Sequence, residues 1–399
     1  MNRVAITGIG IVAPGAVGIE PFRAMLDAAV TAVTPIDRFD TEGLSAHCAA
    51  LVRDFKARDY IPAMKMRRMN TLSRYAVSAA RLAIDDAGGR IASDSGVALG
   101  TAFGPVQTSV DYMQEYVVKG AALAPPQLFA ESVANAPGSH IAIEFDLRGF
   151  NVTVTQRESS MLAAAMFASS QIVKGAAPSA IIGGVEEVNE MVFSVLDRLG
   201  ALAHAENGLP ERMRPFDRRR NGMSIGEGSA IFVAEEMPSR QPYGWLAGFG
   251  IARDTTATIS DWGTGYAQVA AAMQAAIDDA GVQRSDIDAI YASANGTMRG
   301  DRLELRAIRM LFGEAVPPVV AVKSTFGEYA AGGGFQLAAA LLAMRDQKLH
   351  ASFGFEEADT EMQFLPVSAP RDAALRNILV NSISAGGGIV CAVIAREAA

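Results

Sequence analysis

The chain is short of the residues that usually announce chemistry. Only two cysteines occur in 399 residues, Cys48 and Cys391, which rules out a disulfide framework and suits a reducing compartment. The four histidines, His47, His140, His204 and His350, stand apart without metal-ligand spacing and read as ordinary surface or supporting residues, so no metal and no cofactor is expected. Positive charge is also scarce: 35 Lys and Arg against 43 Asp and Glu leave a net charge of −8. Such a balance provides no field for nucleic acid or an anionic membrane surface. No apolar run approaches the ~20 residues of a membrane span. The chain opens on the strand-like VAITGIGIV without a basic leader, and a cytoplasmic setting is expected.

What is present is apolar and repetitive. Half of the residues are hydrophobic and 20% are charged, enough for a large core and a substantial interface. AIDDAGG at Ala83–Gly89 recurs as AIDDAGV at Ala276–Val282, each closing an Ala-rich stretch of helical period and each followed by a β-branched segment ending in Gly-Thr. The pattern predicts two related α/β halves, 1–240 and 241–399, divided near Glu236–Gly244 by the turn residues of EMPSRQPYG. Apolar strands such as AIIGG and GSAIFVA alternate with helices such as MLAAAMFASSQIVKG, which predicts mostly parallel sheets buried under helices. GEGSA precedes a strand and opens no helix, so it is not a dinucleotide fingerprint.

Several stretches together resemble the β-ketoacyl synthases of the thiolase superfamily: RVAITGIGIVAPGA at Arg3–Ala16, MNTLSRYAVSAARLAIDDAGG at Met69–Gly89, LGTAFGP at Leu99–Pro105, IIGGVEE at Ile181–Glu187, RMRPFDRRRNGMSIGEGSAIFVAEE at Arg212–Glu236 and VNSISAGGGIVCAVIA near the C-terminus. The resemblance implies a thiolase-like fold, two pseudo-symmetric α/β halves in a five-layer αβαβα core. In that family a cysteine nucleophile and two histidines carry out condensation. The corresponding places here hold Glu158 in TQRESSM, Asn295 in ASANGT and Glu328 in KSTFGEYAAGGG, while the family's lysine is kept as Lys323. Ile383 and Ala385 stand where the terminal loop usually has two phenylalanines.

A carboxylate is no acyl-thioester carrier, and an ionised Glu328 would repel the enolate that two neutral imidazoles stabilise in active relatives. The chain therefore resembles the chain-length factor, the non-condensing partner of a type II polyketide ketosynthase. That resemblance implies a catalytic ketosynthase as heterodimer partner and an acyl carrier protein serving the pair. It also implies a tunnel and interface segment after the Gly-Thr turn, with Phe103, Tyr112, Met113, Tyr116, Val117 and Phe129 as candidates; the wall is expected to combine Tyr116 with either Tyr112 or Met113. Glu158 is expected at a helix N-terminus, beside Arg157. Lys323 is expected to neutralise Glu328 or both carboxylates, Asp217 to pair with Arg220, and Arg218–Arg220 to be candidate docking points for the carrier protein. Two other readings stay open: an enzyme using Glu158 for malonyl decarboxylation or other acid–base chemistry, and a structural pseudo-ketosynthase that does not set length.

Overall fold

The computed structural model describes residues 3–397. Ten strands form one continuous path: β1 (Val4–Ala13), β2 (Gly96–Gly100), β3 (Asn151–Val154), β4 (Ser179–Glu186), β5 (Gly228–Glu235), β6 (Gly244–Arg253), β7 (Ala289–Tyr291), β8 (Val319–Val320), β9 (Asn377–Ile383) and β10 (Gly388–Ala395), in spatial order β8-β7-β9-β10-β6-β1-β5-β4-β2-β3. The principal helices are α1 (Thr71–Asp86), α2 (Val106–Lys119), α3 (Ser160–Val173), α4 (Tyr266–Ala280), α5 (Met298–Phe312) and α6 (Gly334–Asp346). The strands are apolar on both faces because both are covered. In β5, Ala230, Phe232 and Ala234 face a middle layer made by α3 and α6, while Ile231 and Val233 pack outward with α1 residues. The second half repeats this: Ile378 and Val380 of β9 face the middle, and Leu379 packs outward in the cluster that holds α4 and α5. Five layers result, as in the thiolase-like ketosynthase fold. Among the described residues no helix is long and apolar enough to cross a membrane.

The repeated AIDDAG segments end α1 and α4 and are held by the same device. A Cβ on Gly10 of β1 would lie 1.9 Å from Ala79 O of α1, and one on Gly250 of β6 would lie 1.9 Å from Ala272 O of α4, so each helix lies directly on strand backbone. The pairing register slips between Ile6 and Gly8 in β1 and again where β6 meets Val393 and Ile394 of β10. Beside each slip a backbone N–H turns to the second aspartate of the repeat: Ile9 N donates to Asp86 Oδ2 at 2.9 Å, and Phe249 N to Asp279 Oδ2 at 2.8 Å.

One expectation needs correcting. The sheet is not mostly parallel: β2–β3, β2–β4, β7–β8 and β7–β9 are parallel, but the five pairings through the centre, β4–β5, β5–β1, β1–β6, β6–β10 and β10–β9, are antiparallel. Strands buried on both faces read alike whatever their direction. For β9 and β10 the connection decides it: only the turn Ser384–Gly387 joins them, far shorter than a parallel crossover requires.

Candidate functional site

The first element of the site is the turn between β3 and α3. Arg157 takes a left-handed backbone (φ 51°), Arg157–Ser159 make one 3-10 turn, and α3 follows at Ser160. Ser160 Oγ accepts Gln156 N at 2.8 Å and Ser382 Oγ donates to Glu158 O at 2.8 Å, which fix the turn from both sides. The Glu158 side chain is buried. Its Oε1 accepts the Tyr329 hydroxyl at 3.0 Å, while Oε2 lies 3.7 Å from Arg157 Nε and has no hydrogen-bond partner. Burial pushes this carboxyl up to about 7; Arg157 pulls it down and Glu328 adds like-charge repulsion.

The second element is a closed ionic cluster. The backbone of Glu328 is pinned by the SIGEG segment, with its N–H on Ser224 O at 2.8 Å and its carbonyl accepting Gly226 N at 2.9 Å. Gly226 has no room for a side chain, since a Cβ would lie 1.9 Å from Phe326 O. The Glu328 carboxylate takes Lys323 Nζ at 2.8 Å on Oε1 and Asn295 Nδ2 at 2.7 Å on Oε2, with Tyr329 N at 3.0 Å also on Oε1. Asn295 Oδ1 in turn accepts the Thr297 hydroxyl at 2.7 Å. Lys323 thus forms its ion pair with Glu328 alone, and Glu158 belongs to Arg157 and Tyr329.

Tyr329 separates the two groups, and sequence reasoning passed it over. It has a left-handed backbone (φ 64°), its ring packs edge-on to Phe103 at 4.8 Å between centroids, and its hydroxyl sits between Glu158 and Arg157. On one side lies a pocket of about 530 Å³, lined among others by Arg157, Glu158, Met223, Trp262, Thr297 and Tyr329. On the other, Lys323 and Glu328 border a void of about 10 Å³, at the lower limit for one water. Glu158 lines the pocket; Asn295, Lys323 and Glu328 do not. The signal was legible as the bulky residue directly after Glu328 in FGEYAAGGG. Arg157 also reaches across the pocket, donating to Ile259 O in the segment before α4.

The six tunnel and interface candidates fall into three places. Phe103 is partly buried, against Tyr329. Tyr112 and Tyr116 of α2 pack together at 6.3 Å, and Tyr112 meets Phe129 at 5.6 Å. Met113 and Val117 occupy a different face of α2, 52% and 73% exposed, and line an apolar surface groove with Val106, Val110 and Met191. Tyr116 therefore clusters with Tyr112 and not with Met113.

Three other expectations are corrected. His350 is a core residue, its Nδ1 2.8 Å from the Tyr291 hydroxyl, and burial lowers its pKa to about 4. Asp217 pairs with Arg219 at 3.1 Å, whereas Arg220 reaches Asp359 at 2.9 Å. Arg220 is therefore buried and unavailable for docking, whereas Arg218 stays largely exposed beside Glu357. The local spacing of PFDRRR left the choice of arginine open, and the Glu356–Asp359 segment, far away in sequence, settled it.

Comparison with known proteins follows this geometry. Residues 1–238 match the β-ketoacyl synthase N-terminal domain and residues 243–356 the C-terminal domain. The chain is 26% identical to 3-oxoacyl-[acyl-carrier-protein] synthase 2 of Vibrio cholerae, covering 97% of each chain. It is 29% identical to a putative polyketide β-ketoacyl synthase 1 of Streptomyces virginiae, covering 97% of this chain and 96% of that one. Among solved structures it is similar to the ishigamide ketosynthase/chain length factor, with TM-score 0.89, 27% identity and full coverage of both chains. The chain belongs to the β-ketoacyl synthase family.

Proposed function

We propose that the chain is the non-condensing, chain-length-setting subunit of a type II polyketide synthase, paired with a catalytic ketosynthase and served by an acyl carrier protein. One observation carries the reading: the place of the nucleophile holds a carboxylate, and the groups that would polarise a thioester are turned on one another. Asn295 Nδ2 and Lys323 Nζ both donate to Glu328, and none of the three lines the pocket. Decarboxylation through Glu158 has less support, because no donor of that cluster faces the pocket where an enolate would form. The likeness to a ketosynthase/chain length factor supports the pairing, and the carrier protein in the names of relatives supports the substrate class.

The exposed faces of α2 supply the interface. Met113, Val117 and Val118 leave a continuous apolar strip, and the Tyr112–Tyr116–Phe129 cluster beside it forms the wall that limits product length. The test is co-expression with a catalytic type II ketosynthase, native mass spectrometry, and product analysis. A one-to-one complex in which Tyr112→Gly or Tyr116→Gly lengthens the product supports the proposal. A complex whose product length ignores both changes reduces the chain to a structural partner. A homodimer that turns over malonyl thioester, with activity lost in Glu158→Ala, overturns the reading.

A further inference from the structure

The turn that leads into α2 and the first turn of that helix are held from one place, the end of β4. Glu186 and Glu187 follow each other there, and both are buried. Glu186 Oε2 accepts the Thr101 hydroxyl at 3.1 Å and Phe103 N at 3.3 Å, and it also takes Ala102 N. Glu187 Oε1 accepts Gln107 N at 3.0 Å, one of the N–H groups at the start of α2 that no carbonyl within the helix can satisfy. Pro105, at the N-cap, has no side-chain oxygen to offer, so the cap comes from a residue 80 positions away. Burial pushes the Glu187 carboxyl up to about 7, with the Gln107 N–H pulling the other way. The base of Glu187 is fixed in turn. Val188 N donates to Glu227 Oε2 at 3.0 Å, and buried Glu227 also holds Arg38 on both oxygens at 2.8 Å, Val52 N and the Tyr75 hydroxyl. Against this rigid support, α2 itself packs loosely: Thr108 is its one buried residue. A helix with so little buried surface takes its position from its anchors.

We infer that Glu187 is a positioning residue for product length: by capping α2 from the end of β4 it fixes where the Tyr112–Tyr116–Phe129 wall stands. The inference deepens the proposed function and rests on it. Gln107 lies nine residues before Tyr116, about 14 Å along the helix, so a first turn released from Glu187 lets the whole aromatic face withdraw. The test uses the complex with a catalytic type II ketosynthase, supplied with acyl carrier protein and malonyl units, and reads product lengths by mass spectrometry. Glu187→Met keeps the bulk and loses the acceptor. It should raise the ratio of longer to wild-type-length product about tenfold, the low end of what one methylene of pocket length discriminates. Glu187→Gln keeps an acceptor for Gln107 N and should retain the wild-type product. Exposed Glu190→Gln should change nothing. A one-to-one Glu187→Met complex with wild-type product length, while Tyr112→Gly or Tyr116→Gly lengthens the product, overturns the inference and leaves the proposed function standing. Lengths that ignore all three changes overturn both. A change in Glu187→Gln as large as in Glu187→Met overturns the capping role, because the acceptor is still there. If Glu187→Met forms no complex, Glu187→Asp decides: its carboxylate falls one methylene short of Gln107 N, and an unchanged product length overturns the inference.

Discussion

Replacing Lys323 with methionine tests the ionic cluster directly. The Lys323 side chain is 5% exposed and that of Glu328 is fully buried, with 2.8 Å between Nζ and Oε1. At an effective dielectric of ~20 two charges at that separation interact by about 6 kcal/mol, and removing one partner of a buried pair typically costs ~3–5 kcal/mol because the other charge is left without compensation. Asn295 Nδ2 and Tyr329 N remain to solvate Glu328, which puts the expected loss near the lower end, about 3 kcal/mol. The double variant Lys323→Met with Glu328→Gln removes both charges and keeps an acceptor for one of those two donors, which sit on different oxygens, so it should recover part of the loss. Urea unfolding of wild type, both single variants and the double variant closes the cycle and gives the coupling directly. A single variant that loses less than about 1 kcal/mol, or a double variant no better than the single one, would refute the argument that this pair holds the cluster closed.

Three further outcomes follow from the same structure. Glu158→Cys should not take up an acyl group from an acyl carrier protein, as read by intact-protein mass spectrometry, because Lys323 and Asn295 stay turned on Glu328 and neither lines the pocket. Burial pushes Glu186 up to about 8 against an ordinary 4.5, so its contribution to stability is complete below about 4.5 and is lost as pH rises through about 8. Glu186→Gln should therefore match wild type near pH 5 and exceed it by up to a few kcal/mol above pH 8; a gap that is the same at both pH values contradicts this. Gly10→Ala, whose Cβ would meet Ala79 O at 1.9 Å, should destabilise the chain by about 3 kcal/mol or more or prevent soluble expression, and a near-neutral result would show that α1 can withdraw from β1.

Much of the architecture was legible in the sequence because it is written locally. The AIDDAG repeats marked α1 and α4, and their apolar strands marked a core with both faces covered. Strand direction was not legible, since Val-, Ile- and Ala-rich strands buried on two sides carry no record of which neighbour runs which way. At the site, the identities of Glu158, Asn295, Glu328 and Lys323 were readable from their motifs, but their grouping was not. Which carboxylate Lys323 would meet depended on the left-handed turns at Gly327 and Tyr329, which aim the Glu328 side chain at Lys323 and Asn295 and leave Tyr329 as the wall. His350 misled for a similar reason: its partner, the Tyr291 hydroxyl, lies far away in sequence, and only the folded chain brings the two together in the core.

The shared middle layer has a consequence for synthesis on the ribosome. The inward faces of β4 and β5 are completed partly by α6, which begins about a hundred residues beyond the end of β5. Translation at ~5–20 residues per second leaves that apolar face uncovered for roughly 5–20 seconds, long enough for chaperones to engage it or for neighbouring nascent chains to aggregate. A slowed stretch of codons between β6 and α6 would lengthen that interval, and soluble yield should fall with it.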